Sequence, residues 1–136
     1  MAWQQSLVRI SNYTVEQLRK RLTEIMDRAT QAQLKLAMLH AEAETEHALQ
    51  AASADAGWYR LGYLEGWRLR RDAALAAIEA IAAEEAGARD ALAEAFEELK
   101  KYEQVAENAR LDAVKIATHK ENAMLDELGM RMAAGR

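Results

Sequence analysis

Stepping from Val8 by threes and fours in alternation, the chain reads Val8, Ser11, Val15, Leu18, Leu22, Ile25, Ala29, Ala32, Leu36, Leu39 and Ala43. Only Ser11 is polar, and the register never slips, so the pattern predicts one long helix with a single apolar stripe. A mean step of 3.5 residues keeps such a stripe facing a partner helix along a left-handed supercoil. Arg21, Arg28 and Lys35 recur beside the stripe, where coiled coils place their edge charges.

A second seam occupies the back half: Ala74, Ile78, Ile81, Glu85, Ala88, Leu92, Ala95, Leu99, Tyr102, Ala106, Ala109, Ala113 and Ile116. Glu85 alone interrupts its apolar and aromatic run. Its many alanines let two helices approach closely but give little burial per contact, so stability has to accumulate over length. Between the seams, Ser53-Ala54-Asp55-Ala56-Gly57 carries turn chemistry, since Ser and Asp favour turns and caps and Gly accepts positive φ. A connection this short joins antiparallel neighbours.

The expected fold is therefore all-α. It is a single domain over residues 1–136, a long antiparallel two-helix coiled-coil hairpin. Helix 1 covers about 4–54, the turn about 55–57 and helix 2 about 58–134. At ~1.5 Å per residue the helices span roughly 75 and 115 Å. The second is longer, so from about Asp112 it overhangs with Ile116, Met124, Leu125, Leu128 and Met132 still patterned. A stripe without a partner in its own chain points to another subunit, another protein or fraying.

Composition narrows the function. Proline is absent, aromatics make up 6% and charged residues 29%, which suits helices packed along narrow seams. The net charge of −4 argues against general nucleic-acid affinity. Without cysteine there are no disulfides or thiolate metal sites, which fits a reducing compartment. The N-terminus lacks a signal-peptide pattern, and no stretch reaches the roughly 20 apolar residues that span a bilayer. A cytoplasmic protein is expected.

Four of the eight aromatics fall within ten residues just after the turn: Trp58, Tyr59, Tyr63 and Trp67. Tyr59, Tyr63 and Trp67 are spaced by four and line one helical face. Leu64 and Arg68 lie among them, and Gly62 and Gly66 leave room for a neighbour. One reading is a plug closing the end of the hairpin. The other is a docking surface, favoured because Trp, Tyr and Arg are enriched at binding hot spots.

His40, His47 and His119 are too far apart for a helical zinc site and read as solvated flanks. Gly57-x4-Gly62 lacks the Lys-Ser/Thr pair of a phosphate loop. Carboxylates from Glu79 to Glu107 read as a solvated face, and Ser, Thr and His are too sparse for a nucleophile with its base. Neither catalysis, cofactor nor metal is expected. Charge is uneven, with ten acidic and three basic residues from Asp72 to Glu107 but four basic and one acidic from Arg60 to Arg71.

The chain as a whole resembles the FliJ family, the small coiled-coil proteins of the bacterial flagellar type III export apparatus. Near the start, Ser6-Leu7-Val8-Arg9-Ile10 followed by Tyr13, Val15-Glu16, Arg19 and Leu22 is similar to the family's opening. Glu121-x3-Leu125-Asp126-Glu127-x3-Arg131 is similar to its closing motif, and Tyr63-Leu64-x2-Trp67 falls where the family has an aromatic and apolar patch. Trp67 stands where an aliphatic residue is common.

That resemblance implies a non-enzymatic stalk or adaptor of flagellum biogenesis, protein transport and motility. It would work in the cytoplasm, peripheral to the inner membrane at the flagellar base. Its implied partners are the hexameric export ATPase, the export gate protein FlhA and export chaperones. The hairpin tip (Trp58, Tyr59, Tyr63, Leu64, Trp67, Arg68) would face the gate. The terminal end (Leu7, Arg9, Leu125, Asp126, Arg131) would sit in the ATPase ring. Two alternatives stand beside this. One is the equivalent stalk of a virulence type III secretion system, and the other is a scaffold that self-associates through the overhang.

Overall fold

A computed structural model describes residues 2–52 and 57–135. They form two α-helices, α1 (Ala2–Ala52, 51 residues) and α2 (Gly57–Ala134, 78 residues), with no strand among the described residues. The arrangement is the expected antiparallel two-helix hairpin with a longer second helix. The expected turn at 55–57 lies outside the described residues except for Gly57, which opens α2. The absence of proline is why both helices run so far without a break. Threonines inside α1 settle their own hydroxyls, as Thr23 and Thr30 donate to carbonyls four residues back at 3.0 and 3.1 Å.

The chain divides into two compact units. The first to describe is Gln17–Leu92, in which α1 and α2 pack seam to seam. Ile25 is 1% exposed, and Leu39 and Ala74 are also buried. Removing an isoleucine side chain from water contributes about 1.5–3 kcal/mol. Ion pairs then fix the register along the edges. The Arg70 guanidinium holds both oxygens of Glu42 at 3.0 and 3.1 Å, and Arg28 holds both oxygens of Glu84. Both pairs are mirror positions about residue 56, as one continuous antiparallel register requires. Arg21 approaches the same Glu84 at 3.5 Å, so two of the three edge cations seen in the sequence bridge across the helices. Glu85, the acidic break in the seam, is half-buried and held by Arg89 one turn on at 3.0 Å.

The other unit is Met1–Glu16 with Ala93–Arg136. Its buried positions are Ser11, Val15, Ala95 and Leu99. Moving away from these, burial declines through Ala106 to Ala109, the last half-buried residue of α2. Every described side chain from Arg110 onward is exposed. The seam spacing continues through Ala113 and Ile116, yet Ile116 is 58% exposed because α1 begins at Ala2 and offers nothing to cover it. Arg131 lies in the last turn of α2, where a cation complements the helix dipole, and pairs with Glu127 at 2.9 Å.

Candidate functional site

The aromatic stretch at the start of α2 is divided by helical geometry into two faces. Tyr63, Trp67, Arg70 and Ala74 are spaced by four, three and four, which extends the inner seam backwards from Ala74. Trp67 is accordingly half-buried, and its indole Nε1 donates to the Leu39 carbonyl at 2.8 Å across the helix pair. The His40 ring leans on Trp67 with centroids 5.7 Å apart, and the Arg71 guanidinium sits 5.4 Å from the indole centroid. Cation–π contacts of this kind contribute about 0.5–1 kcal/mol at exposed sites.

Tyr63 is also half-buried, but its hydroxyl finds no hydrogen-bond partner among the described residues. Its hydroxyl is buried, which raises the phenol pKa above the ordinary tyrosine value. The carboxylates of Glu42 and Glu46 push in the same direction, and the charge of Arg70 opposes them. Arg70 in turn is held more firmly protonated, chiefly by its hydrogen bonds to Glu42. These contacts give Tyr63 and Trp67 the character of a plug between the helices. Both stay half-buried, so part of each still faces outward beside the docking role that residue type favoured. His40, expected to be a solvated flank, is exposed but braces the indole.

The outward face is a separate surface. Leu61 is 73% and Leu69 72% exposed, with Arg68 exposed between them and Leu64 half-buried at the edge, while Tyr59, 41% exposed, continues the face of Tyr63 and Trp67 one turn earlier. The side chain of Trp58 lies outside the described residues. Leu61 and Leu69 are the functional candidates that sequence reasoning passed over. Their signal was available, because neither falls on the inner seam at a step of three or four. A methyl group added at Gly62 or Gly66 would meet nothing within 4 Å, so neither glycine is required by the packing of its own chain.

At the opposite ends of the helices the terminal candidates are not brought together. Leu7 is half-buried and Arg9 exposed. Their neighbours Gln4, Gln5 and Val8 line a cleft of about 270 Å³ with Glu103, Glu107 and Arg110. The Gln4 amide oxygen is buried there with no hydrogen-bond partner among the described residues. Hydrogen bonds from Arg110 hold the Glu107 carboxyl below its usual range. Leu125, Asp126 and Arg131 lie at least 15 residues beyond Arg110 on α2, or about 22 Å at the rise of a helix. They belong to the stretch on which Met124 is 70%, Leu125 58%, Leu128 53% and Met132 62% exposed.

Among the described residues no group of three His, Cys, Asp or Glu side chains could hold a metal ion. Nor is any described helix long and apolar enough to cross a membrane. What the surfaces offer is chemistry for docking: apolar side chains edged by charge.

No protein-family model matches the chain, and no solved structure does. Two curated relatives do. The chain is 52% identical over 132 residues to the flagellar FliJ protein of Caulobacter vibrioides strain NA1000 / CB15N, which covers 97% of this chain and 95% of the relative. The flagellar FliJ protein of Caulobacter vibrioides strain ATCC 19089 / CIP 103742 / CB 15 matches to the same extent.

Proposed function

The chain belongs to the flagellar FliJ family, non-enzymatic components of the flagellar export apparatus, and from that premise we propose that it is an adaptor between the apparatus's parts. The observation that carries this is the stretch from Arg110 to Ala134, an ordered helix on which every described side chain is exposed. A helix with large apolar side chains and no cover in its own chain is suited to a pore or groove in a partner. We assign Leu125, Asp126 and Arg131 to the export ATPase ring, with Leu7 and Arg9 at the rim of that contact.

The surface near the start of α2 is assigned to the export gate FlhA, through Leu64 and Arg68 on the outward side and Tyr59 on the exposed end of the inner face. Tyr63 and Trp67 serve it by fixing the helix beneath. Export chaperones would be carried on the same molecule, on the cytoplasmic side of the inner membrane at the flagellar base.

Motility of cells carrying variants as the sole copy tests the assignment, together with co-purification of the ATPase and gate. Leu125→Glu with Leu128→Glu should abolish ATPase recovery while the circular dichroism of the purified chain stays unchanged. Tyr59→Ala with Arg68→Ala should reduce gate recovery and spare the ATPase. Recovery of both partners by both variants, with normal motility, would remove the two surfaces from the proposal.

A further inference from the structure

The exposed end of α2 carries a seam of its own. From Leu111 the alternating steps of three and four run through Val114, Thr118, Glu121, Leu125 and Leu128, and Met132 continues them. This stripe is distinct from the seam that faces α1. Ala109 and Leu111 lie about 200° apart around the helix. Val114, the next position of the outer stripe, lies about 100° from Ala113 and about 200° from Ile116, the next two positions of the inner seam, so the two stripes do not merge. All seven positions are exposed, the apolar ones from 44% at Leu111 to 62% at Met132. Three heptads of such spacing suffice to define a coiled-coil face.

We propose that this stripe pairs with the same stripe of a second copy, antiparallel, centred between Thr118 and Glu121. Charge distribution carries the orientation. Residues 110–120 hold three basic side chains and one acidic, and residues 121–131 hold three acidic and one basic. An antiparallel pair therefore sets each basic half against the other copy's acidic half. The individual positions agree on one register. Leu111 faces Leu128 of the second copy, Val114 faces Leu125, and the two polar seam residues, Thr118 and Glu121, face each other, hydroxyl to carboxylate. In the same register Lys115 lies two residues, about 3 Å along the axis, from the level of Asp126, an offset its long side chain can span. These two are eleven residues apart on one helix, about 20° around it, and so share an edge of the stripe. Antiparallel pairing sets like edges together.

A parallel pair fails on each count. Glu121 would face Glu121 inside the seam, Thr118 would face Thr118, and the basic halves would lie side by side. The antiparallel register does bring Arg110 level with Arg131. Each is already held by a glutamate of its own helix, Glu107 at 2.7 Å and Glu127 at 2.9 Å. Pairing of this kind goes beyond the export reading. If that reading is also correct, self-pairing covers Leu125 and competes with the ATPase for it.

Sedimentation equilibrium of the full chain alone tests the proposal, from micromolar to hundreds of micromolar concentration. The mass should rise from 15.2 kDa towards twice that value. Lys115→Asp and Asp126→Lys should each weaken the dimer about tenfold, the scale of two symmetry-related ion pairs turned to repulsion. The double exchange should restore it. The chain has no cysteine, so a mixture of Val114→Cys and Leu125→Cys proteins should form the mixed disulfide in preference to either same-position disulfide. A monomer at every concentration overturns the proposal. So do same-position disulfides forming at least as well, or failure of the double exchange to rescue. None of these outcomes depends on whether the ATPase binds.

Discussion

Ile25 and Leu125 are both large aliphatic residues at seam positions of a three-four pattern, and they have opposite fates. Ile25 is 1% exposed between α1 and α2, while Leu125 is 58% exposed on the free end of α2. Their local sequences are equally helical, and neither segment contains a helix breaker other than Gly129. The difference comes from the length of the other helix. Where α1 is present, the stripe becomes a core closed by cross-helix ion pairs. Where α1 has ended, the same kind of stripe becomes a surface. In a two-helix fold, core and binding face are built from one pattern.

The largest effect should come from exchanging alanine at those two positions. Ile25→Ala removes a buried side chain and should cost about 2–5 kcal/mol in urea unfolding. Leu125→Ala should leave the stability of the monomer within about 0.5 kcal/mol. Measuring both at a concentration where the chain is monomeric keeps association out of the comparison. Similar losses at the two sites would mean that Leu125 is covered within its own chain, and the distinction between core and face would fall.

The glycines sharpen the comparison from the other side. Gly62 and Gly66 lie in the interior of α2 with open space where a Cβ would stand. Replacing both by alanine should stabilise the chain by about 1–2 kcal/mol, since glycine loses more backbone entropy in a helix. If the outward face near Tyr59 works by close approach of a partner, the same variant should bind the gate less well despite its greater stability. A loss of stability would instead show that the helix there depends on contacts along that face.

How much of this was legible in the sequence can be followed residue by residue. Both seams, the antiparallel pairing and the unequal helices could be read from spacing, because period and apolarity are local properties. Where the second seam stops being a core was not marked by its own spacing, since Ala113 and Ile116 keep the pattern, but the unequal helix lengths placed it near Asp112, close to Ala109, the last half-buried residue. At the aromatic stretch, the tendency of Trp and Tyr to mark interfaces outweighed phase. Counting back from Ala74 by four, three and four arrives at Arg70, Trp67 and Tyr63; the structure half-buries Trp67 and Tyr63 and uses Arg70 for an edge ion pair. Leu61 and Leu69 fall outside that count and are exposed.

Trp67 allows that division to be tested with a small change. Trp67→Phe keeps an aromatic ring but removes the Nε1 donor to the Leu39 carbonyl. The loss should be about 1 kcal/mol, typical of a net hydrogen bond. Gate binding per folded molecule should not change. Loss of binding at unchanged stability would return Trp67 to the docking surface and leave Tyr59 and Arg68 as its surroundings.

The smallest effect concerns Tyr63, and its sign follows from the direction of its pKa. Burial, helped by Glu42 and Glu46, raises the folded-state value above that of the unfolded chain. The folded protein therefore holds the phenolic proton more tightly. That contribution to stability is fully present below the unfolded value and is lost as the pH rises through the folded one. Tyr63 should therefore titrate above the ordinary tyrosine value when followed in the ultraviolet. Melting followed across the alkaline range should show a decline in the parent chain that is shallower in Tyr63→Phe, which has no proton to lose. The two curves should separate by a few tenths of a kcal/mol at the alkaline end, as befits a half-buried site. If Tyr63→Phe declines as steeply as the parent, the phenol is not enclosed between the helices. The inner face of the aromatic stretch would then have to be counted with the outer one.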